Sequence, residues 1–121
     1  VAFDGLWFST VENAYQAAKE RTRQQRMSYL NVTPFKAKKM GRELHLREGW
    51  EDIKFDVMHD LVFQKFDNNK SLGDKLLATG DVQIVEGNDW GDTYWGVCNG
   101  DGENNIGKII MDVRTSLRLK Y

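Results

Sequence analysis

The stretch from Val85 to Gly107, VEGNDWGDTYWGVCNGDGENNIG, constrains this chain more than any other. It holds six of the eleven glycines and two of the four tryptophans, with several acidic side chains and no Lys or Arg. Gly and Asn accept backbone angles that other residues avoid, so such a loop can aim its aromatic and acidic side chains at one point. Segments that only connect elements are usually shorter and lack large aromatics, because an exposed indole forfeits the benefit of burial. The loop therefore reads as one that builds a site. The plainer alternative is a long surface loop whose Trp side chains pin it to the core.

With 121 residues, 40% of them hydrophobic and 29% charged, the chain has the size and composition of a single globular domain. No apolar run is long enough to cross a bilayer, so a soluble protein without a membrane partner is expected. The one cysteine, Cys98, excludes an internal disulfide and fits a reducing cytoplasm. It supplies no metal-ligand pair, and as a nucleophile it has no His near it in sequence. Asn88, Asp89 and Asp92 do not follow the order of a calcium loop, and no phosphate-binding glycine motif opens a helix. Neither a metal nor a cofactor is expected.

A formal charge of −1 argues against a general nucleic-acid binder, but the charge is unevenly placed. Eight basic residues (Lys19, Arg21, Arg23, Arg26, Lys36, Lys38, Lys39, Arg42) face Glu20 alone between positions 19 and 42, while 81–107 carries only acids. A basic wall opposite an acidic, aromatic loop suits a phosphorylated substrate whose reaction needs carboxylates at its other end. The alternative is a solvated helical face.

Along the chain, Asp4-Gly5 between apolar residues predicts a hairpin turn. Ser9-Thr10-Val11-Glu12 has the capping-box pattern, so a helix is expected from Ser9 through about Gln25. On it Val11, Tyr15 and Ala18 form an apolar stripe, and Glu12, Gln16 and Lys19 a polar row beside it. Glu12 is then either a chemically active carboxylate or no more than the cap partner of Ser9. Thr33-Pro34 starts a second helix to about Arg42, weakened by Gly41. From Trp50 a stronger helix places Trp50, Ile53, Val57, Met58 and Leu61 on one arc, with Lys54 in its middle. Its ammonium either reaches solvent past its apolar stem or is partly desolvated, which makes an amine nucleophilic. His59 falls on the opposite arc and is expected at the surface, and His45 has no expected role. Ser71 to Gly80 reads as a short helix with a glycine end, Asp81 to Glu86 as a strand, and Ile106 to Leu117 as the last helix.

Carboxylates (Glu12, Glu86, Asp92), aromatic rings (Trp50, Trp90, Trp95), amines (Lys19, Lys54) and a basic wall form a kit for cleaving a bond to an anomeric carbon. The segments STVENAYQAAK (Ser9 to Lys19), MGR (Met40 to Arg42), WEDIKFDVM (Trp50 to Met58), KF (Lys65, Phe66), LLATG (Leu76 to Gly80), VEGNDWGDTYWG (Val85 to Gly96) and GENNIGKIIM (Gly102 to Met111) resemble, in that order, the NADAR or YbiA-like family. The resemblance spans essentially the whole chain, 1–121. It implies one mainly α domain with a few short strands (α+β) and an N-glycosidase acting on ribosyl compounds related to NAD and ADP-ribose. Two substrate classes come with it: phosphorylated intermediates of riboflavin synthesis, and ADP-ribosylated guanine in nucleic acid.

The family's functional positions map to Glu12, Trp50, Asp92 and Trp95, and a Schiff-base lysine to Lys54 or Lys19. Lys54 is preferred here for its apolar surroundings, while Lys19 is expected to meet phosphate. The expected catalytic set is thus Glu12, Lys54 and Asp92, and the expected binding set Trp50, Trp95, Gln16, Lys19, Arg42 and Asn104. The rival reading from another class is a non-catalytic module for ADP-ribose or a related nucleotide. Two departures stand out. Asn13 replaces a His common in the family and cannot transfer a proton at neutral pH, and an upstream Ser-Asn-Phe segment is absent.

Overall fold

The computed structural model describes residues 1–43 and 46–120, and His45 lies outside them. Helix dominates. In chain order the elements are β1 (Ala2–Phe3), β2 (Leu6–Trp7), α1 (Val11–Ala18), α2 (Arg23–Met27), α3 (Pro34–Glu43), α4 (Trp50–Asp67), α5 (Lys70–Ala78), β3 (Gly87–Asn88), β4 (Val97–Cys98) and α6 (Asn105–Lys120). This is the expected mainly helical architecture, its strands reduced to two-residue pairs. The chain divides into two units, Val1–Lys65 and Phe66–Tyr121.

In the first unit, Asp4 and Gly5 take the left-handed angles (φ 51° and 72°) that a two-residue hairpin requires, and β1 pairs antiparallel with β2. The turn is stapled from the basic run. Arg26 Nη1 reaches Asp4 Oδ2 at 2.8 Å, Arg23 Nε donates to the Asp4 carbonyl at 3.2 Å, and Arg26 Nη2 donates to the Glu20 carbonyl at 2.8 Å. Arg23 and Arg26 therefore belong to the scaffold rather than to a substrate-facing wall.

The helix start differs from expectation. Thr10, not Ser9, is the N-cap of α1, and its hydroxyl accepts from the Asn13 backbone at 3.0 Å. The helix also stops at Ala18, because Thr22 and Gln25 form a capping box of their own that starts α2. Asn13 is fully buried: its Nδ2 donates to the carbonyls of Tyr29 (2.9 Å) and Val32 (2.8 Å). It ties α1 to the segment that leads into α3, whose first turn is capped by Thr33 through Lys36 N at 3.1 Å. Ala14, Ala17, Ala18 and Ala37 are all buried, and such small side chains let helix backbones come close. Along α4 the buried residues are Trp50, Met58, Leu61 and Val62; Ile53 and Val57 of the expected arc are only half-buried.

In the second unit α5 is capped by Asn69 rather than Ser71, and Gly80 (φ 62°) follows its C-cap as expected. The strand expected over 81–86 does not form. Among the described residues no strand pairs with that segment, and the Asn104 side chain satisfies it instead: Nδ2 donates to the Ile84 carbonyl and Oδ1 accepts from Glu86 N, both at 2.9 Å. Pairing occurs further on, between β3 and β4, which run parallel in the register Gly87 to Val97 and Asn88 to Cys98. Helix α6 buries Ile109, Val113 and Leu117, and its buried Arg114 donates to Thr79 Oγ1 and the Val82 carbonyl.

Asn13→Ala leaves two buried carbonyls without donors, so it is expected to lower unfolding stability by about 2–4 kcal/mol. Urea titration should show a reduced midpoint with an unchanged slope. A shift within experimental error would mean that these two bonds do not hold the unit together.

Candidate active site

The chemistry of the first unit gathers around the polar row of α1. Because Thr10 supplies the cap, Glu12 is released from that duty and stands half-buried in the first turn. Gln16 Nε2 donates to Glu12 Oε1 at 3.2 Å, and one turn on the Lys19 amine lies 5.4 Å from the centre of the Tyr15 ring. Burial lowers the pKa of Lys19 from the ordinary 10.5; Glu12 opposes this most, Lys54 and Arg42 reinforce it, and Glu51 opposes it more weakly. A desolvated amine with two cations for neighbours carries its lone pair at a lower pH than a surface lysine does.

Lys54 has the apolar setting expected of it, its side chain 16% exposed, but its ammonium is ion-paired to Glu51. Of the two lysines, Lys19 is the one whose amine has a lowered pKa, and Lys54 is the one held in an ion pair. Trp50 also departs from expectation. An open stacking platform would leave an indole face accessible, whereas Trp50 is 3% exposed, set against Tyr15 (centroids 5.3 Å apart, 56° between planes) and under the Arg47 guanidinium at 5.8 Å. Its ring is engaged in packing and acts as a wall behind Tyr15. Arg47 was not foreseen. Its backbone N–H reaches the Lys19 carbonyl at 3.4 Å, which ties the segment before α4 to the end of α1. The visible signal was a basic residue three positions before Trp50, which the charge run ending at Arg42 hid.

Arg42 is exposed on α3 and lines, with Phe35, Lys39 and Glu43, a concavity of about 420 Å³. Phe35 is 80% exposed there, and Lys36 and Lys38 on the same helix are exposed too. Of the expected basic wall, the residues that stand exposed on α3 are Lys36, Lys38, Lys39 and Arg42. A planar ring and phosphate oxygens are what an exposed Phe between cations is equipped to hold.

In the second unit the organising loop is shaped by Asp92. Its Oδ1 accepts from the backbone of Tyr94 (3.2 Å) and Trp95 (2.9 Å), while Asn88 brackets its main chain with Nδ2 to the Asp92 carbonyl (2.8 Å) and Oδ1 from Asp92 N (3.0 Å). One carboxylate oxygen is a turn-former; the other takes no hydrogen bond among the described residues. Trp95 is half-buried and edge-on to Tyr94, centroids 4.7 Å apart. Trp90 is 66% exposed and Cys98 is a free, half-buried thiol. Asn104, expected to bind substrate, has both ends of its amide engaged with Ile84 and Glu86 and is 7% exposed, so its side chain is a structural tie. Among the described residues no group of His, Cys, Asp and Glu could hold a metal ion.

The NADAR domain family model matches residues 1–118. An N-glycosidase YbiA from Shigella boydii is 34% identical over 99% of this chain and 77% of its own length. An N-glycosidase from Nostoc punctiforme is 34% identical over 95% of this chain and 77% of its own. A riboflavin biosynthesis protein from Vibrio vulnificus is 34% identical over 98% of this chain but only 33% of its own length. The NMR structure of the E. coli protein YbiA superposes with a TM-score of 0.86 at 34% identity, covering 97% of this chain and 71% of that one. The chain belongs to the NADAR family and so to the hydrolases of N-glycosyl bonds.

Proposed function

We propose that this chain hydrolyses the N-glycosidic bond of a phosphorylated ribosyl or ADP-ribosyl compound. The observation that carries the reading is the Lys19 amine, its pKa lowered by burial and by Lys54 and Arg42, with Glu12 the acid that opposes this most strongly. Relatives named as N-glycosidases and as riboflavin biosynthesis proteins support it, as does the family motif that contributes Asp92 and Trp95.

In the reaction proposed, the neutral Lys19 amine attacks the anomeric carbon. The base leaves with the bonding electron pair and acquires a proton, Glu12 carrying protons between the amine and the opening ring oxygen. The ring-opened sugar is held as an imine on Lys19, and addition of water returns the amine and releases the sugar aldehyde. Burial lowers the affinity of the amine for a proton, and Lys54 adds to this by repulsion. Arg42 has the same effect and also binds phosphate beside Lys39. Asp92 and Trp95 are functional positions by resemblance to the family, and the role proposed for Asp92 is to assist departure of the base.

Incubation with ADP-ribosyl-guanosine and with amino-pyrimidine ribosyl phosphates is expected to release base from at least one of them. Tight calorimetric binding of ADP-ribose with no base released from either would instead identify a binding module. Borohydride added during turnover should leave a reduced sugar adduct on Lys19; an adduct on Lys54 would reverse the two roles, and turnover without any adduct would remove the imine.

The rate should rise with pH as Lys19 loses its proton, with a midpoint below 10.5. Lys54→Met removes a neighbouring positive charge, so the midpoint should move to higher pH; a midpoint unmoved or lowered would show that Lys54 does not tune the amine. Asp92→Asn keeps an oxygen for the Tyr94 and Trp95 amides and removes only charge. It should lower kcat by about a hundredfold with little change in KM, and wild-type turnover in this variant would confine Asp92 to shaping the loop.

A further inference from the structure

Gly41 reads in the sequence as a weak point in a helix, since glycine in a helix interior is less favourable than alanine. In the structure it is buried where α3 meets Gln16 of α1. A β-carbon at position 41 would sit 1.9 Å from Gln16 Oε1, 2.9 Å from its Cδ and 3.3 Å from its Cβ. No L-residue other than glycine fits unless the Gln16 side chain leaves. Gln16 itself is 4% exposed, and its Oε1, turned toward Gly41, has no hydrogen-bond donor among the described residues. A buried amide oxygen without a donor is destabilising, so the arrangement persists against two local penalties, the glycine and the orphaned oxygen. The opposite end of the same amide is the end that matters: Nε2 donates to Glu12 Oε1 at 3.2 Å.

We infer that Gly41 and Gln16 form a positioning device for Glu12, in which the bare glycine backbone holds the Gln16 amide flat so that its N–H₂ fixes the carboxylate. The inference rests on the proposed role of Glu12 and changes the part expected of Gln16 from substrate binder to positioning residue. The orientation of the amide follows from its neighbours. With Oε1 against the glycine Cα–H, a contact that carbonyl oxygens tolerate, the N–H₂ group is left to meet Glu12. The reverse orientation would set two oxygens against each other whenever Glu12 is ionised. The device therefore acts on an ionised Glu12 and restricts it to one rotamer. A loosely held catalytic carboxylate loses the advantage of pre-set geometry, and small displacements of such a group cost rate far more than binding.

The test uses Gly41→Ala, Gln16→Leu and the double variant Gly41→Ala/Gln16→Ala, each followed by urea unfolding and steady-state kinetics, with the side-chain amide resonances of Gln16 read in the wild-type protein, in Gly41→Ala and in Glu12→Gln. Gly41→Ala should lower kcat at least tenfold with KM changed less than threefold, because the added methyl displaces the amide from Glu12. Gln16→Leu, close in volume but without a donor, should show the same split while remaining folded. The double variant should regain the stability lost in Gly41→Ala, since the alanine at position 16 makes room for the methyl, yet keep the low kcat. Wild-type kcat in a folded Gly41→Ala or Gln16→Leu protein overturns the inference, as does recovery of kcat in the double variant. The amide resonances separate this failure from failure of the proposed reaction. In the wild-type protein the Gln16 N–H₂ pair should be slow to exchange and should shift in Glu12→Gln, whether or not any ribosyl compound is hydrolysed. A rapidly exchanging pair indifferent to Glu12→Gln would sink the device by itself.

Discussion

The close approach of α1 and α3 is the constraint on which the first unit depends. Helix axes normally stand 8–10 Å apart because side chains lie between them. Here Gly41 of α3 lies against Gln16 of α1, alanines of both helices are buried, and the buried Asn13 donates to two carbonyls of the segment leading into α3. This brings the basic residues of α3 to the polar row of α1. Arg42 then lies near enough to Lys19 to perturb its amine, and the Gln16 amide is pressed into a fixed orientation.

Desolvation is also why the two lysines differ. Lys54 was attractive because Trp50 and Met58 flank it one turn away, and its side chain is indeed largely covered. Cover alone does not set the charge state, however. Lys54 is ion-paired to Glu51, one turn earlier on the same helix face. Lys19 is covered and has Lys54 and Arg42 as neighbours, so burial and repulsion act together. A similar logic applies to Trp50. Large aromatic rings stabilise a small unit most when buried, and this one is enclosed by Tyr15 and Arg47 instead of standing open to a ligand.

The second unit solves a different problem, that of giving a long irregular segment a definite shape. Asp92 and Asn88 close one turn, while Asn104, itself at a positive φ of 54°, supplies the hydrogen bonds that a neighbouring strand would have supplied. Gly102 lies against the backbone at Gly96 and Val97, where a β-carbon would meet the Gly96 carbonyl at 2.1 Å. The glycine and asparagine content of Val85 to Gly107 thus has two distinct uses: close backbone approach for some residues, and side-chain replacement of a missing strand for others.

Much of this was legible from the residues alone. The Asp-Gly hairpin, the helix opened by Thr33-Pro34, the long helix from Trp50, the glycine after α5 and the final helix all follow from local rules of turn geometry, capping and periodicity, which act over a few residues. The family and its reaction class were legible because several motifs recur in a fixed order. Local rules failed where two answers were nearly equal, at Ser9 against Thr10 and Asn69 against Ser71, and where a strand had no partner, at 81–86. What only the tertiary structure decided were the properties that depend on distant neighbours. These are the depressed pKa of Lys19, the enclosure of Trp50, the engagement of Asn104 in the backbone, the diversion of Arg23 and Arg26 to the hairpin, and the conversion of Gly41 from a flaw in a helix into a contact. Charge state, exposure and steric room are set by what lies across space, and nothing in the order of residues states which helix faces will meet.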